Sequence, residues 1–308
     1  MRFSTWFAGN SWKSVLDGCR HAERTGWDGV WVPDHFMAPP DGYGAEDELG
    51  TDPERAPILE AWTMLAAIAA LVPRLRIGAM VTGNTYRHPA VLANMAATVD
   101  QISNGRLVLG IGSGWQENEH EHYGIELGTP SELSDRLAEA CAVLKMLLSQ
   151  ERTTFAGTYY QLDDAPCEPK PVQQPLPLLI GGGGERRTLR TVARFADEWN
   201  VWGTPSDLRH KIAVLEQHCA TVGRDPSEIQ RSAAALLVMT DSPEEAEQLR
   251  SGMEHRGGLV GTIDQLREIV AEYAAAGVDE LVIPDFTMTA ETRADTLDRF
   301  RAEVIEGR

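Results

Sequence analysis

The sequence predicts a (β/α)8 barrel, an α/β fold in one domain over residues 1–308 with an insertion before the fifth strand. Three observations predict it. Eight short β-rich runs follow one another along the chain. Amphipathic helical patterns lie between them, and strand-then-helix repetition means parallel strands joined by right-handed crossovers. No linker, low-complexity stretch or fixed-period repeat divides the 308 residues, a length suited to one large domain. An open doubly wound sheet uses the same alternation and is the alternative architecture.

The eight runs are Phe3–Phe7, Gly29–Val32, Leu75–Val81, Leu107–Ile111, Leu178–Ile180, Glu198–Trp202, Ala233–Met239 and Leu281–Ile283. The helices between them are well punctuated. The first places Trp12, Val15, Leu16, Cys19 and Ala22 on one face and stops at Gly26. Another opens on Pro89, buries Val91, Leu92, Met95, Val99 and Ile102, and ends at Asn104-Gly105. A later one opens on Thr204-Pro205, presents Leu208, Ile212, Leu215 and Cys219, and stops at Gly223. Thr262 with Gln265 spells a capping box, and that helix runs to Gly277.

Two segments exceed plain barrel loops. Met37–Ala56 follows the second strand and is rich in Pro, Gly and Asp. A segment after a strand lies at the C-terminal mouth, where barrel chemistry sits, so this is the candidate lid. Gln150–Pro177 holds a hairpin, Thr153–Phe155 with Thr158–Leu162, and then a proline-rich crossing.

Composition narrows the function. Twenty-eight basic residues against 46 acidic ones give a formal net charge of −18. That disfavours nucleic acid and anionic membranes as partners. The four cysteines match no zinc or redox spacing and read as reduced, packed thiols of a cytoplasmic protein. No signal peptide or membrane-spanning run is expected.

Function should then be read at the strand ends. The second strand ends Pro33-Asp34-His35-Phe36, bringing a carboxylate and an imidazole to the mouth. The third runs Ala79-Met80-Val81-Thr82-Gly83-Asn84, whose small residues suggest a bulge or close ligand approach. The fourth ends Gly112-Ser113-Gly114-Trp115, with alternate glycines that let a flat ligand near the backbone, a hydroxyl and a stacking plane. The fifth ends in Gly181-Gly182-Gly183-Gly184, after which Glu185-Arg186-Arg187 opens a helix. Amides at such a start bind phosphate, and the arginines add local positive charge. His120 and His122, two apart, read as part of a solvated, acidic helix start with no metal.

Taken together, PDHF at 33–36, TYRHPAVLANMAATVDQISNGRLVLGIGSGW at 85–115 and PKPVQQPLPLLIGGGGERRTLRTVARFADEWN at 169–200 resemble the luciferase-like monooxygenase superfamily. More narrowly, they are similar to the branch that uses the deazaflavin coenzyme F420. The resemblance implies a bacterial luciferase-like barrel and a hydride-transferring oxidoreductase acting on a small organic substrate. It implies a tricyclic ring across the mouth and a non-proline cis peptide in the third-strand bulge, mapped to Ala79–Met80. It makes His35 and Asp34 the catalytic candidates. Candidate cofactor contacts are Asp34, Ala79, Met80, Thr82, Asn84, Ser113, Gly114, Trp115, Gly181, Gly182, Gly183, Gly184, Glu185 and Arg186. Trp115 stands where sugar-phosphate dehydrogenases of the branch carry an acid, which argues against that substrate. FMN with oxygen is the alternative cofactor chemistry, and a non-catalytic flavin-binding protein the alternative class. The resemblance also suggests a homodimer.

Overall fold

The eight expected strands close into a barrel. The computed structural model describes residues 1–8, 11–40, 56–251 and 257–307, so most of the expected lid lies outside the described residues. The strands are β1 (Arg2–Trp6), β2 (Gly29–Val32), β3 (Arg76–Ala79), β4 (Thr82–Gly83), β5 (Leu107–Gly112), β6 (Thr153–Ala156), β7 (Gln161–Ala165), β8 (Leu178–Gly181), β9 (Glu198–Trp202), β10 (Gln230–Ala234), β11 (Leu236–Met239), β12 (Gly258–Gly261) and β13 (Glu280–Pro284). The main sheet runs β3-β2-β1-β13-β10-β9-β8-β5-β4, and a further β3–β5 pairing closes it. Its pairings are parallel, as crossover helices require.

Helix punctuation follows the sequence signals. Helix Trp12–Thr25 is capped by Ser11 and stops at Gly26, whose φ of 83° is left-handed. Thr129, Thr204 and Thr262 each make a reciprocal capping box. Helix Pro89–Ser103 ends on Asn104 in the left-handed region. Two of its residues expected in the core, Val91 and Ile102, are instead 54% and 44% exposed. They lie eleven residues, three turns, apart on one face, while Leu92, Ala93, Ala96, Ala97 and Val99 fill the other.

The seventh run differs from its expected form. It begins at Gln230 and breaks at Ala235. The Ala235 amide still donates to Val282, but Leu236–Met239 then leaves the barrel and pairs in parallel with β12, a strand the sequence did not reveal. The hairpin β6–β7 is present, with its second strand starting later than expected. Gln173, in the crossing beyond it, donates to buried Asp100 and to the Leu107 carbonyl, which fixes that crossing under β5.

Inside the barrel, the N-terminal end is ionic and the C-terminal end apolar. Glu280, with no exposure, accepts from Ser4, Trp31, Arg76 and Gln230, and Arg76 also reaches Glu198. Above this plug stack Trp31, Val108, Leu179, Ala234 and Val282, then Met80 and Trp6. Barrel strands are interior on one face only, so this column supports whatever sits at the mouth.

The third strand carries the expected bulge between β3 and β4. Its Met80–Val81 peptide is cis, one bond later than the position the resemblance implied. The neighbouring glycines make room for this bulge. A Cβ on Gly110 would collide with the Ala79 carbonyl oxygen, one on Gly112 would lie 2.7 Å from Val81, and one on Gly181 2.9 Å from it. Gly110→Ala should therefore lower stability by ~3 kcal/mol, read from the denaturant midpoint, since the obstacle is the Ala79 backbone and not a flexible side chain.

Candidate functional site

A cavity of about 600 Å³ opens at the C-terminal ends of the strands. This is the catalytic face of such barrels, and the volume suits a small-molecule site. Met80 and Val81 form its floor, and Asp34, His35, Tyr86 and Trp115 one side. Trp6, Trp202 and Phe286 form the other side, with Gly181–Gly183 on the rim.

The side wall is organised by a buried carboxylate. His35 follows β2, and its Nδ1 lies 2.8 Å from Glu119 Oε1. Glu119 sits in the first turn of helix Glu117–Tyr123, which starts just beyond β5. Its other oxygen accepts from the Phe36 amide at 2.9 Å, and the Tyr86 hydroxyl donates to Oε1. A carboxylate only accepts, so Nδ1 carries a proton, and in the neutral ring Nε2 is the basic nitrogen. Burial pushes the Glu119 carboxyl up, but the hydrogen bonds from His35, Phe36 and Tyr86 outweigh it and hold the group below its ordinary range. Trp115, 60% exposed, meets the His35 ring edge-on at 5.6 Å.

Beside this pair lies a second buried carboxylate with a different solution. Asp34 is 1% exposed and is gripped by both Arg87 nitrogens at 2.5 and 3.0 Å. Arg87 also reaches Glu60 at 2.6 Å. Burial pushes the Asp34 carboxyl up, while Arg87 and the Thr82 hydroxyl act in the opposite sense. Asp34 thus anchors the loop after β2, and His35 is the group better placed for proton transfer.

The glycine run differs from the expected phosphate cradle. Its helix begins at Thr188, because Glu185–Arg187 first make a turn and the Leu189 amide returns to the Gly184 carbonyl. The Gly182 amide is engaged by the Asn200 carbonyl. Among the described residues, the Gly183 and Gly184 amides carry no hydrogen bond. Lys211 stands over the loop with Nζ 2.9 Å from the Gly183 carbonyl, a cation not singled out in the sequence. Glu185 is occupied by His210 and Lys211, and Arg186 points to solvent.

Of the sequence candidates, Asp34, His35, Met80, Ser113, Gly114, Trp115, Gly181, Gly182 and Gly183 line the cavity. Ala79, Thr82 and Asn84 lie behind its wall, 1%, 0% and 3% exposed. Thr82 accepts from Trp62, and Asn84 donates to Tyr160. Gly184, Glu185 and Arg186 fall beyond the rim. The helix start expected to be solvated is the largest correction: Glu119 and His120 are 0% and 2% exposed. His120 Nδ1 donates to the Gln116 carbonyl at 2.6 Å and Nε2 lies 2.7 Å from the Thr85 hydroxyl, which holds the ring in place. Among the described residues no cluster could hold a metal, and no helix is long and apolar enough to cross a membrane. The four cysteines are free and buried, and burial pushes the Cys19 and Cys141 thiols up to about 12.

The chain belongs to the luciferase-like monooxygenase family, whose profile matches residues 3–257. A phthiodiolone/phenolphthiodiolone dimycocerosates ketoreductase of Mycobacterium tuberculosis is 29% identical over 284 residues, 89% of this chain and 72% of that one. Two solved structures share the fold. An F420-dependent secondary alcohol dehydrogenase in complex with an F420-acetone adduct superposes with a TM-score of 0.82 at 22% identity, over 99% of both chains. A riboflavin lyase with modified FMN and riboflavin superposes at 0.81 and 14% identity, over 99% of this chain and 90% of that one.

The two carboxylates make distinct predictions. Arg87→Met leaves Asp34 buried without its cation and should cost ~3 kcal/mol of stability, read by chemical denaturation. Glu119 has a lowered folded-state value, so its contribution is complete above the ordinary carboxylate range and is lost as pH falls through the lower value. The stability gap between wild type and Glu119→Gln should be ~1–3 kcal/mol at neutral pH and close on acidification.

Proposed function

As a member of this family the chain is, we propose, a coenzyme F420-dependent oxidoreductase that moves a hydride between the deazaflavin and a carbonyl or secondary-alcohol carbon. The observation that carries the reading is the His35–Glu119 pair on the cavity wall. Carbonyl reduction consumes one hydride and one proton, and alcohol oxidation releases both. A hydride carrier therefore needs a proton donor and acceptor beside the reacting oxygen. The ketoreductase relative and the alcohol dehydrogenase of the same fold support the same chemistry.

The residues present fit a deazaflavin. Met80 and Val81 give a flat ring an apolar floor, and the bulge raises them into the mouth. The Gly183 amide on the rim and the Gly184 amide just beyond it, with Lys211, suit the phosphate of its side chain in an otherwise acidic protein. When bound, the coenzyme supplies the carbon that gives or takes the hydride. The chain does the rest. In the oxidation direction His35 Nε2 takes the hydroxyl proton, and the Glu119 carboxylate stabilises the resulting imidazolium. In the reduction direction the same nitrogen returns the proton to the carbonyl oxygen. Trp115 covers His35 and limits water at that edge.

Parallel fluorescence titrations with F420 and FMN test the cofactor. F420 should bind at least about tenfold more tightly. Selective FMN binding, with oxygen consumption when a reductase is supplied, would move the protein to monooxygenase chemistry. His35→Ala should retain coenzyme affinity and lose ~100-fold or more in kcat. Unchanged turnover in that variant would remove His35 from the mechanism.

A further inference from the structure

We infer that the substrate side of the cavity is built for an uncharged ketone or secondary alcohol carrying a hydrocarbon ring or chain, and that it discriminates against anionic substrates. The reacting group rests on the hydride reading above. The rest comes from the wall opposite His35.

That wall is a contiguous aromatic corner. Trp6 closes β1, Trp202 closes β9, and Phe286 follows β13 directly. Since β1, β13, β10 and β9 are successive staves of the barrel, these three side chains converge at one place. Trp6 lies 6.0 Å from Trp202 and 5.2 Å from Phe286, ring centre to ring centre, with the rings tilted or edge-on. Rings tilted to one another do not close into a face-to-face stack, so the corner offers apolar ring surface to the cavity. Trp202 and Phe286 remain partly open to the cavity, and the interior beneath them is Ala234, Val282 and Leu179.

Of the polar groups at this corner, the buried Trp6 indole N–H has no hydrogen-bond partner among the described residues, and the others named here are already committed. Asn200 donates to Ser232, and Asp285 accepts from Arg293 and from the Ala8 amide. Arg87 is held between Asp34 and Glu60, and Lys211 sits at the glycine rim. Among the described residues, no Lys or Arg lines the cavity. An anionic substituent placed against this corner would lose its hydration without a counter-charge, and the net charge of −18 opposes its entry. A hydrocarbon substituent gains from the same surface.

Two ligands of nearly the same shape separate these cases: methyl 4-oxocyclohexanecarboxylate and its free carboxylate. Each is titrated into the purified protein by calorimetry and tryptophan fluorescence, without and then with saturating F420. The ester should bind at least about tenfold more tightly than the carboxylate. Phe286→Ala should weaken the ester about tenfold while F420 affinity holds. Phe286→Leu, which keeps an apolar side chain, serves if the alanine variant does not fold, and should give a smaller loss in the same direction. Equal or tighter binding of the carboxylate overturns the inference. So does failure of both ligands to bind, or an ester affinity indifferent to Phe286. Absence of F420 binding with the ester preference intact would overturn the coenzyme reading and leave this one standing.

Discussion

A carboxylate with no solvent exposure must have its oxygens filled, and at Glu119 the three donors come from two separate loops. The His35 ring and the Phe36 amide belong to the loop after β2, and the Tyr86 hydroxyl to the loop after β4. The carboxylate itself rides on the helix turn beyond β5. One buried group therefore ties together the mouths of three neighbouring strands. It also determines which nitrogen of His35 carries a proton. The chemistry proposed for the site depends on that assignment. A neutral ring with Nδ1 protonated presents a base at Nε2, and the opposite tautomer would present a donor there.

Asp34 and Glu119 show two ways of burying a charge a few residues apart in space. Asp34 is neutralised by a bidentate guanidinium, a geometry that fixes position and leaves little freedom for proton transfer. Glu119 is held by an imidazole, a hydroxyl and an amide, and the imidazole can change its charge during reaction. The first arrangement anchors a loop, and the second couples a fixed carboxylate to a titrating partner. Beneath both, the bulge at Met80–Val81 is accommodated by glycines on the adjacent strands. The floor of the cavity is thus set by barrel packing before any ligand arrives.

Much of this was legible in the sequence. Barrel strands are buried on both faces and read as short continuous apolar runs, which is why their positions could be placed closely. Gly26, Asn104, Gly223 and the Thr262 capping box mark helix ends through purely local geometry. Asp34 and His35 stood out because a strand end locates them at the mouth. Thr82 and Asn84 did not reach the cavity because the bulge interrupts strand alternation. Val81 and Gly83 line the site in their place. Glu119 was read as solvated because ENEHEH is polar in sequence, and its partners lie 84 and 33 residues away. A helix start placed directly after a barrel strand was the available signal. Strand β12 was missed because four residues rich in glycine show no period.

The claim on which the site rests is that Glu119 sets the tautomer and orientation of His35. Nitrogen-15 NMR of histidine-labelled protein, with His35 assigned by His35→Gln, tests it directly at a pH where the ring is neutral. The account predicts a protonated Nδ1 and an unprotonated Nε2 in the wild type, and loss of that single-tautomer signature in Glu119→Ala. A proton on Nε2, or a spectrum unchanged by Glu119→Ala, would contradict it.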